Sequence, residues 1–144
     1  MKRFRFRLEK ILNLRRYRER EWEQKLAVIS GICLELENRI KMLHVEKERV
    51  IANYGSGSDI SSMVSRDLYL FRLDRGMEEL GEELQKKRKE LERVREEYLR
   101  VSGERKVLEK LKERQEKNYY KRERLEEIKV IDDLNNAKAN RKTG

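Results

Sequence analysis

The sequence predicts an all-α protein, made of two long helices that pair as an antiparallel coiled-coil hairpin. Charged residues make up 45% of the 144 residues, hydrophobic residues 37%, and there is no proline. This composition is typical of solvated helices with a narrow apolar stripe. Along two long stretches, apolar residues recur at alternating intervals of four and three residues, which is the seam spacing of a coiled coil.

Disorder is the alternative for so highly charged a chain. The apolar residues, however, keep their spacing over several heptads, and an unstructured chain has no need of such a pattern. We therefore predict helices, in a single domain that covers residues 1–144.

The first predicted helix covers about residues 4–54. Its opening, Phe4-Arg5-Phe6-Arg7-Leu8, alternates like a strand before the helical spacing begins. From Trp22 onward the seam has ten positions, and nine of them are apolar or aromatic. The two preceding seam positions, Glu19 and Arg15, are charged and suggest that the helix pair loosens there. The seam itself consists of Trp22, Leu26, Ile29, Cys33, Leu36, Ile40, Leu43, Lys47, Val50 and Tyr54.

A predicted turn at about residues 55–62 separates the helices. Gly55 and Gly57 end the first helix, and Ser58, Asp59, Ser61 and Ser62 are good N-caps for the second. If the turn centres near residue 61, residue i lies opposite about residue 122 − i. The second helix is predicted at about residues 63–134, with the seam Leu73, Met77, Leu80, Leu84, Lys87, Leu91, Val94, Tyr98, Val101, Arg105 and Leu108.

The second helix is expected to overhang the start of the first. Apolar residues return in this overhang at Leu125, Ile128, Val130, Ile131 and Leu134, and they need a partner to cover them. Residues 135–144 are polar and basic, and we expect them to be disordered.

The net charge of +9 is unevenly distributed along the chain. Residues 1–30 carry +6, residues 31–81 carry −2 and residues 82–144 carry +5. In a hairpin, the two basic ends would meet and the slightly acidic middle would form the other end.

No residues suggest an enzyme, a metal site or a cofactor site. Cys33 and His44 are the only residues of their types, which leaves no disulfide, zinc cluster or His-based triad within the chain. We expect Cys33 to be a buried, inert thiol. No apolar run is long enough for a membrane span, and no secretory signal is recognisable, so a cytosolic location is expected.

Nucleic acid is not a predicted partner, although the chain is basic. Its Lys and Arg residues are interleaved with Glu, which favours ion pairs along a solvated helix over binding to phosphates. The cluster of Phe4, Phe6 and Leu8 has two interpretations, packing against the second helix or contact with another protein. We expect replacement of Phe4 or Phe6 to cost much less stability than replacement of Leu36 or Leu91.

The opening pattern resembles the FliJ family of the flagellar type III export apparatus. The resemblance rests on Phe4-x-Phe6-x-Leu8-x-x-Ile11-Leu12-x-Leu14-Arg15, followed by a long helix, a short turn and an overhanging second helix. It covers nearly the whole chain, and stalk proteins of virulence secretion systems are the nearest alternative. A generic coiled-coil scaffold or tether, which would self-associate through its seam, is a further alternative.

The resemblance implies a monomeric, non-enzymatic protein of bacterial flagellum biogenesis, and hence of motility and chemotaxis. Such a protein is a central stalk in a hexameric export ATPase ring, where it promotes ring assembly and ATP turnover. It also contacts the cytoplasmic domain of the export-gate membrane protein, and it binds export chaperones. Its expected location is the cytoplasm, at the inner face of the cell membrane beneath the flagellum.

Two sets of residues follow from this resemblance. The set for the ATPase ring is Phe4, Phe6, Leu8, Arg15, Ile128, Ile131 and Leu134. The set for the export gate is Arg39, Leu43, Tyr69, Phe71, Leu73, Gly76 and Leu80, with Glu46 and Val50 where other members carry aromatic residues. Core packing is the stronger interpretation for the leucines and Val50, whereas Arg39, Tyr69 and Phe71 are the better candidates for surface contacts.

Overall fold

Two long helices make up nearly all of the computed structural model, which describes residues 3–53 and 59–143. Helix α1 runs Glu9–Ala52 and helix α2 runs Ile60–Thr143. The described residues contain no strand, and the predicted all-α class is confirmed. Residues 54–58, which include half of the predicted turn and the last residue of the first predicted seam, lie outside the described residues.

Helix α1 begins at Glu9, several residues later than predicted. The backbone N–H of Glu9 donates to the carbonyl of Phe6 at 3.2 Å, and that of Leu12 donates to Leu8 at 2.9 Å. The alternation of aromatic and basic residues before Leu8 belongs to a non-helical lead-in, and the helix begins where that alternation stops. The carboxylate of Glu9 in the first turn also favours the start of a helix there.

Helix α2 begins at Ile60 because Asp59 caps it. The Asp59 Oδ1 atom accepts a hydrogen bond from the backbone N–H of Ser62 at 3.0 Å, and its carbonyl accepts one from Met63 at 3.3 Å. The first turn of α2 therefore has the side-chain acceptor that a helix N-terminus requires.

Helix α2 extends beyond Leu134, the residue at which the second helix was predicted to end. The helix continues through residues 135–143, with all described side chains after Arg124 exposed. No glycine or proline occurs between Glu104 and Thr143, and the alanines, lysines and arginines of this segment are good helix formers. Arg141 and Lys142 in the last turn add a favourable interaction with the helix dipole.

The chain divides into two compact units. Unit 1 consists of Met1–Glu19 and Arg100–Gly144, and unit 2 consists of Arg20–Leu99. Within each unit, part of α1 packs antiparallel against part of α2.

The ion pairs between the helices give the pairing in each unit. In unit 1, Glu9 pairs with Lys112 at 3.0 Å, and Glu19 pairs with Arg105. In unit 2, Glu37 pairs with Arg88 at 2.9 Å, and Lys47 pairs with Asp74 at 2.6 Å. These partners lie within about three residues of the position that the expected 122 − i relation assigns to them.

Each unit has its own apolar core at the seam. The buried core of unit 2 consists of Ile29, Cys33, Leu36, Leu84 and Val94, and Trp22, Leu26, Ile40, Leu80 and Leu91 pack around it. The buried core of unit 1 consists of Phe6, Leu12 and Leu108, with Phe4, Leu8 and Leu111 around it. Every described seam residue, including Tyr98 and Val101, is buried or half-buried.

Phe6 belongs to the core rather than to the surface, which corrects the expected cost of its replacement. Its side chain is 7% exposed, against 4% for Leu36. Phe4 is half-buried, and its ring lies 5.6 Å from that of Tyr119, close to the position opposite Phe4 in the expected register.

The charged seam residues of unit 1 form a network of ion pairs, whereas the sequence predicted that the helix pair loosens there. Arg105 donates to the carboxylates of both Glu19 and Glu109, and Arg16 lies 3.2 Å from Glu109. Burial opposes the ionisation of Glu109, but hydrogen bonds from Arg105 and Arg16 outweigh burial and lower its pKa. Charged residues therefore pack at this part of the seam because each one has a partner.

We expect Leu36→Ala and Phe6→Ala to destabilise the protein to a similar extent. Each replacement removes a buried side chain, and such changes cost about 2–5 kcal/mol. Urea unfolding followed by circular dichroism measures this cost. Leu34→Ala is the matched control, since Leu34 is 58% exposed and its replacement should change the free energy of unfolding by less than about 1 kcal/mol. A Phe6→Ala cost no larger than that of Leu34→Ala would contradict the burial of Phe6.

We expect Gly81→Ala and Gly103→Ala to stabilise the protein. Both glycines lie inside α2, and a Cβ atom added at either position meets no atom within 4 Å. Alanine is favoured over glycine in a helix interior by about 1 kcal/mol. Each variant should therefore raise the unfolding midpoint in urea, and a lowered midpoint would show that the glycine is needed for packing.

Candidate functional site

The described residues contain neither a metal cluster nor a membrane-spanning segment. Within residues 3–53 and 59–143, no helix has an apolar stretch long enough to cross a bilayer. In the same residues, no group of three or more His, Cys, Asp or Glu side chains is placed to hold a metal ion. Cys33 is a free thiol in the core of unit 2.

The last part of α2, in unit 1, exposes a row of large apolar side chains. Leu125 is 57% exposed, Ile128 49%, Ile131 57% and Leu134 59%. These residues recur every third position, and side chains at this spacing form a ridge that can pack into the groove of another helix. None of them belongs to the apolar cores of the described residues. We call Leu125, Ile128, Ile131 and Leu134 the C-terminal ridge.

The N-terminal residues of the ring set are placed differently from the C-terminal ridge. Phe6 is buried and Leu8 packs against the same core, while Phe4 contacts Tyr119. The guanidinium of Arg15 donates to the carbonyl of Glu104 at 3.1 Å. These four residues therefore hold the N-terminal segment against α2. In the described part of the chain, the members of the ATPase-ring set that lack such packing are Ile128, Ile131 and Leu134.

The two units differ strongly in charge. Unit 1 contains 22 Lys and Arg residues against 11 Asp and Glu residues, a net charge of +11. Unit 2 contains 15 against 17, a net charge of −2. The C-terminal ridge lies in the basic unit, but residues 125–134 themselves carry one Lys against four Asp and Glu residues, a net charge of −3.

A hydrogen-bonded cluster in unit 2 joins α1 to α2 around Tyr69. The Tyr69 hydroxyl donates to the Glu46 Oε1 atom at 2.9 Å, and Arg49 donates to the two Glu46 oxygens at 2.6 and 3.0 Å. The hydrogen bonds from Arg49 and then Tyr69 lower the pKa of Glu46 to about 2, so this carboxylate stays ionised at physiological pH. The tyrosine ring, 41% exposed, is thereby held in one orientation at the surface.

Leu43 and Gly76 lie in close contact in the same unit. A Cβ atom added to Gly76 would lie 3.4 Å from Leu43 Cδ1, at the limit of ordinary van der Waals contact, so Gly76 faces Leu43 across the helix pair. Arg39, one turn before Leu43 on α1, is exposed and pairs with Glu35 at 3.1 Å. We call Arg39, Leu43, Glu46, Tyr69 and Gly76 the Tyr69 surface.

The remaining residues of the gate set do not form part of the Tyr69 surface. Leu73 is 7% exposed, and Leu80 packs against the core of unit 2, so both support the helix pair from inside. Phe71 is 62% exposed, but it follows Tyr69 by two residues and points about 160° away from it around the helix.

Only one of the two contacts of Glu46 could be predicted from the sequence. The spacing of Glu46 and Arg49 is that of an ion pair along a helix, and this signal was visible in the sequence. The hydrogen bond from Tyr69 was not visible, because it joins residues that lie seven positions away from the simple 122 − i register.

A protein-family model described as "Flagellar FliJ protein" matches residues 4–144. No curated protein and no solved structure gives a significant match to the chain. The matched range is essentially the whole sequence, and it includes both the opening aromatic pattern and the full length of α1 and α2. The chain therefore belongs to the FliJ family and is a component of flagellar type III protein export.

Proposed function

We propose that this protein is the central stalk of the hexameric flagellar export ATPase. In this role it enters the ATPase ring, promotes ring assembly and ATP turnover, and links the ring to the export gate. Family membership supports the proposal, and the observation that carries it is the exposed C-terminal ridge in a unit with a net charge of +11.

The ring contact is proposed to bury Ile128, Ile131 and Leu134. Full burial of one such side chain contributes about 1.5–3 kcal/mol, so covering the ridge would supply a substantial part of the binding free energy. The positive charge of the rest of unit 1 would speed the encounter with any partner of opposite charge. Phe4, Phe6, Leu8 and Arg15 take part by keeping the N-terminal segment packed on α2, with the half-buried Phe4 and Leu8 reaching the surface.

The gate contact is proposed to use the Tyr69 surface. A fixed tyrosine with a neighbouring cation is a common core of protein interfaces, where Tyr and Arg are enriched. Arg39, Leu43 and Tyr69 would touch the cytoplasmic domain of the gate protein, while Leu73, Gly76 and Leu80 set the spacing of the helices beneath them.

We propose the remaining parts of this role with family membership as their support. The protein binds export chaperones, acts as a monomer without a cofactor or nucleic-acid partner, and does not itself hydrolyse ATP. It works in the cytoplasm at the inner face of the cell membrane beneath the flagellum, and it serves motility and chemotaxis through flagellum assembly.

We expect Ile128→Ser/Ile131→Ser to remove most of the stimulation of the cognate export ATPase. Both side chains are exposed, and isoleucine and serine have similar helix propensities, so the fold should be unaffected. Steady-state ATP hydrolysis with increasing amounts of the full chain measures the effect. Val28→Ser/Leu34→Ser, at 62% and 58% exposed positions of unit 2, is the control. Equal stimulation by the two double variants would contradict the ring contact.

We expect Arg39→Glu/Tyr69→Ala to weaken binding to the cytoplasmic domain of the gate protein by about tenfold or more, as for loss of interface hot-spot residues. The ATPase stimulation of this variant should stay at the wild-type level, because the ridge is intact. Isothermal titration calorimetry gives the affinity, with Arg95→Glu as the control at another exposed arginine of unit 2. Unchanged affinity for the gate domain would exclude the Tyr69 surface from this contact.

A further inference from the structure

The first turns of α2 carry a second apolar stripe, distinct from the seam and from the Tyr69 surface. Ile60 is 80% exposed, Val64 52%, Leu68 59% and Phe71 62%. Their intervals are four, four and three residues, which is the spacing of one helix face. We call these four residues the outer stripe.

Helix geometry shows why α1 leaves the outer stripe uncovered. At 3.6 residues per turn, the four side chains fall within an arc of about 80°. The buried seam residue Leu73 lies on the opposite side of α2 from this arc. Since α1 packs on the side of Leu73, it cannot reach the outer stripe.

The same face of α2 loses its apolar character after Phe71. Its next positions are all charged: Arg75, Glu78, Glu82, Lys86, Lys89, Arg93 and Glu96. On this face of α2, large apolar residues are confined to the outer stripe, and their grouping into one patch is typical of an interaction site.

The charge beside the outer stripe indicates the chemistry of that molecule. A surface groove runs from Phe71 past Asp74, Arg75, Glu78, Glu79 and Glu82. Asp74 is paired with Lys47 at 2.6 Å, and Glu79 is paired with Arg75 at 3.5 Å. Within residues 3–53 and 59–143, Glu78 and Glu82 have no ion-pair partner. The groove thus combines apolar anchors at one end with unneutralised carboxylates at the other.

We propose that the outer stripe, with Glu78 and Glu82, is the docking surface for an amphipathic helix of another protein. This partner helix carries apolar residues at matching intervals and Lys or Arg residues at the end that meets the groove. An apolar helix face that lies along a complementary groove is a recurrent mode of recognition. A membrane surface fits less well, because its anionic lipids would be repelled by the carboxylates. This docking surface shares no residue with the C-terminal ridge or the Tyr69 surface.

Synthetic peptides and the full chain test the proposal. The probe is an amphipathic helical peptide with leucines at the spacing of the outer stripe and a lysine-rich end, made in both sequence directions. Fluorescence anisotropy should show that it binds, and that an otherwise identical peptide with a glutamate-rich end binds at least about tenfold more weakly.

Substitutions in the full chain test whether the lysine peptide binds at the outer stripe. Leu68→Ser/Phe71→Ser should weaken binding of the lysine peptide by about tenfold or more, because it removes two apolar anchors. Glu78→Gln/Glu82→Gln should weaken binding and reduce its dependence on salt. Val28→Ser/Leu34→Ser, with similar exposures, should bind like the wild type. Circular dichroism should give the same helix content for all variants.

Several results would overturn the proposal. These are absence of binding, equal binding of the lysine and glutamate peptides, or undiminished binding by Leu68→Ser/Phe71→Ser. Sedimentation that shows a dimer of the wild type, lost in that variant, would assign the outer stripe to self-association instead. ATPase stimulation should be unaffected in Leu68→Ser/Phe71→Ser, and both ATPase stimulation and gate-domain binding should be unaffected in Glu78→Gln/Glu82→Gln, so failure here is distinguishable from failure of the stalk proposal.

Discussion

Burial of the apolar seam between α1 and α2 is the interaction on which the rest of the structure depends. In unit 2, Cys33 and Leu36 of α1 pack with Leu84 and Val94 of α2, and each buried side chain of this size contributes about 1–3 kcal/mol. The seam is narrow, so most side chains of both helices remain at the surface. In residues 3–53 and 59–143, the candidate functional residues are therefore those that the seam leaves exposed and holds in place.

Unit 1 shows how charge is accommodated in such a seam. Arg105 and Glu19 occupy positions that are apolar elsewhere, and their removal from water is offset because Arg105 bonds to Glu109 as well. Phe6 and Leu12 then form a small core beyond this network, and they hold the N-terminal segment on α2. The aromatic opening pattern of the chain is therefore structural at Phe6. The exposed apolar residues of unit 1 lie on both helices, at Ile11, Leu14 and Tyr17 of α1 and in the C-terminal ridge of α2.

The periodic spacing of apolar residues was sufficient to predict the helices, their antiparallel pairing and the close approach of Phe4 to Tyr119. The spacing of apolar residues was insufficient at positions where other features of the chain also decide the structure. The alternation before Leu8 left two interpretations open for Phe6, packing against the second helix or contact with another protein, because burial there depends on where α2 lies. The polar composition after Leu134 suggested disorder, although the absence of glycine and proline permits a helix. The bond from Tyr69 to Glu46, which organises one candidate surface, needs three-dimensional information that spacing does not contain.

Hydrogen exchange of the full chain, with and without the cognate export ATPase, tests the central claim most directly. In the free chain, amides around Leu36 and Leu84 should exchange slowly, and those of residues 121–142 should exchange fast, because no described apolar core covers that part of α2. Addition of the ATPase should protect residues around Ile128 and Ile131 and leave residues 60–71 unchanged. Protection of residues 121–142 in the free chain, or no added protection there with the ATPase, would contradict the account.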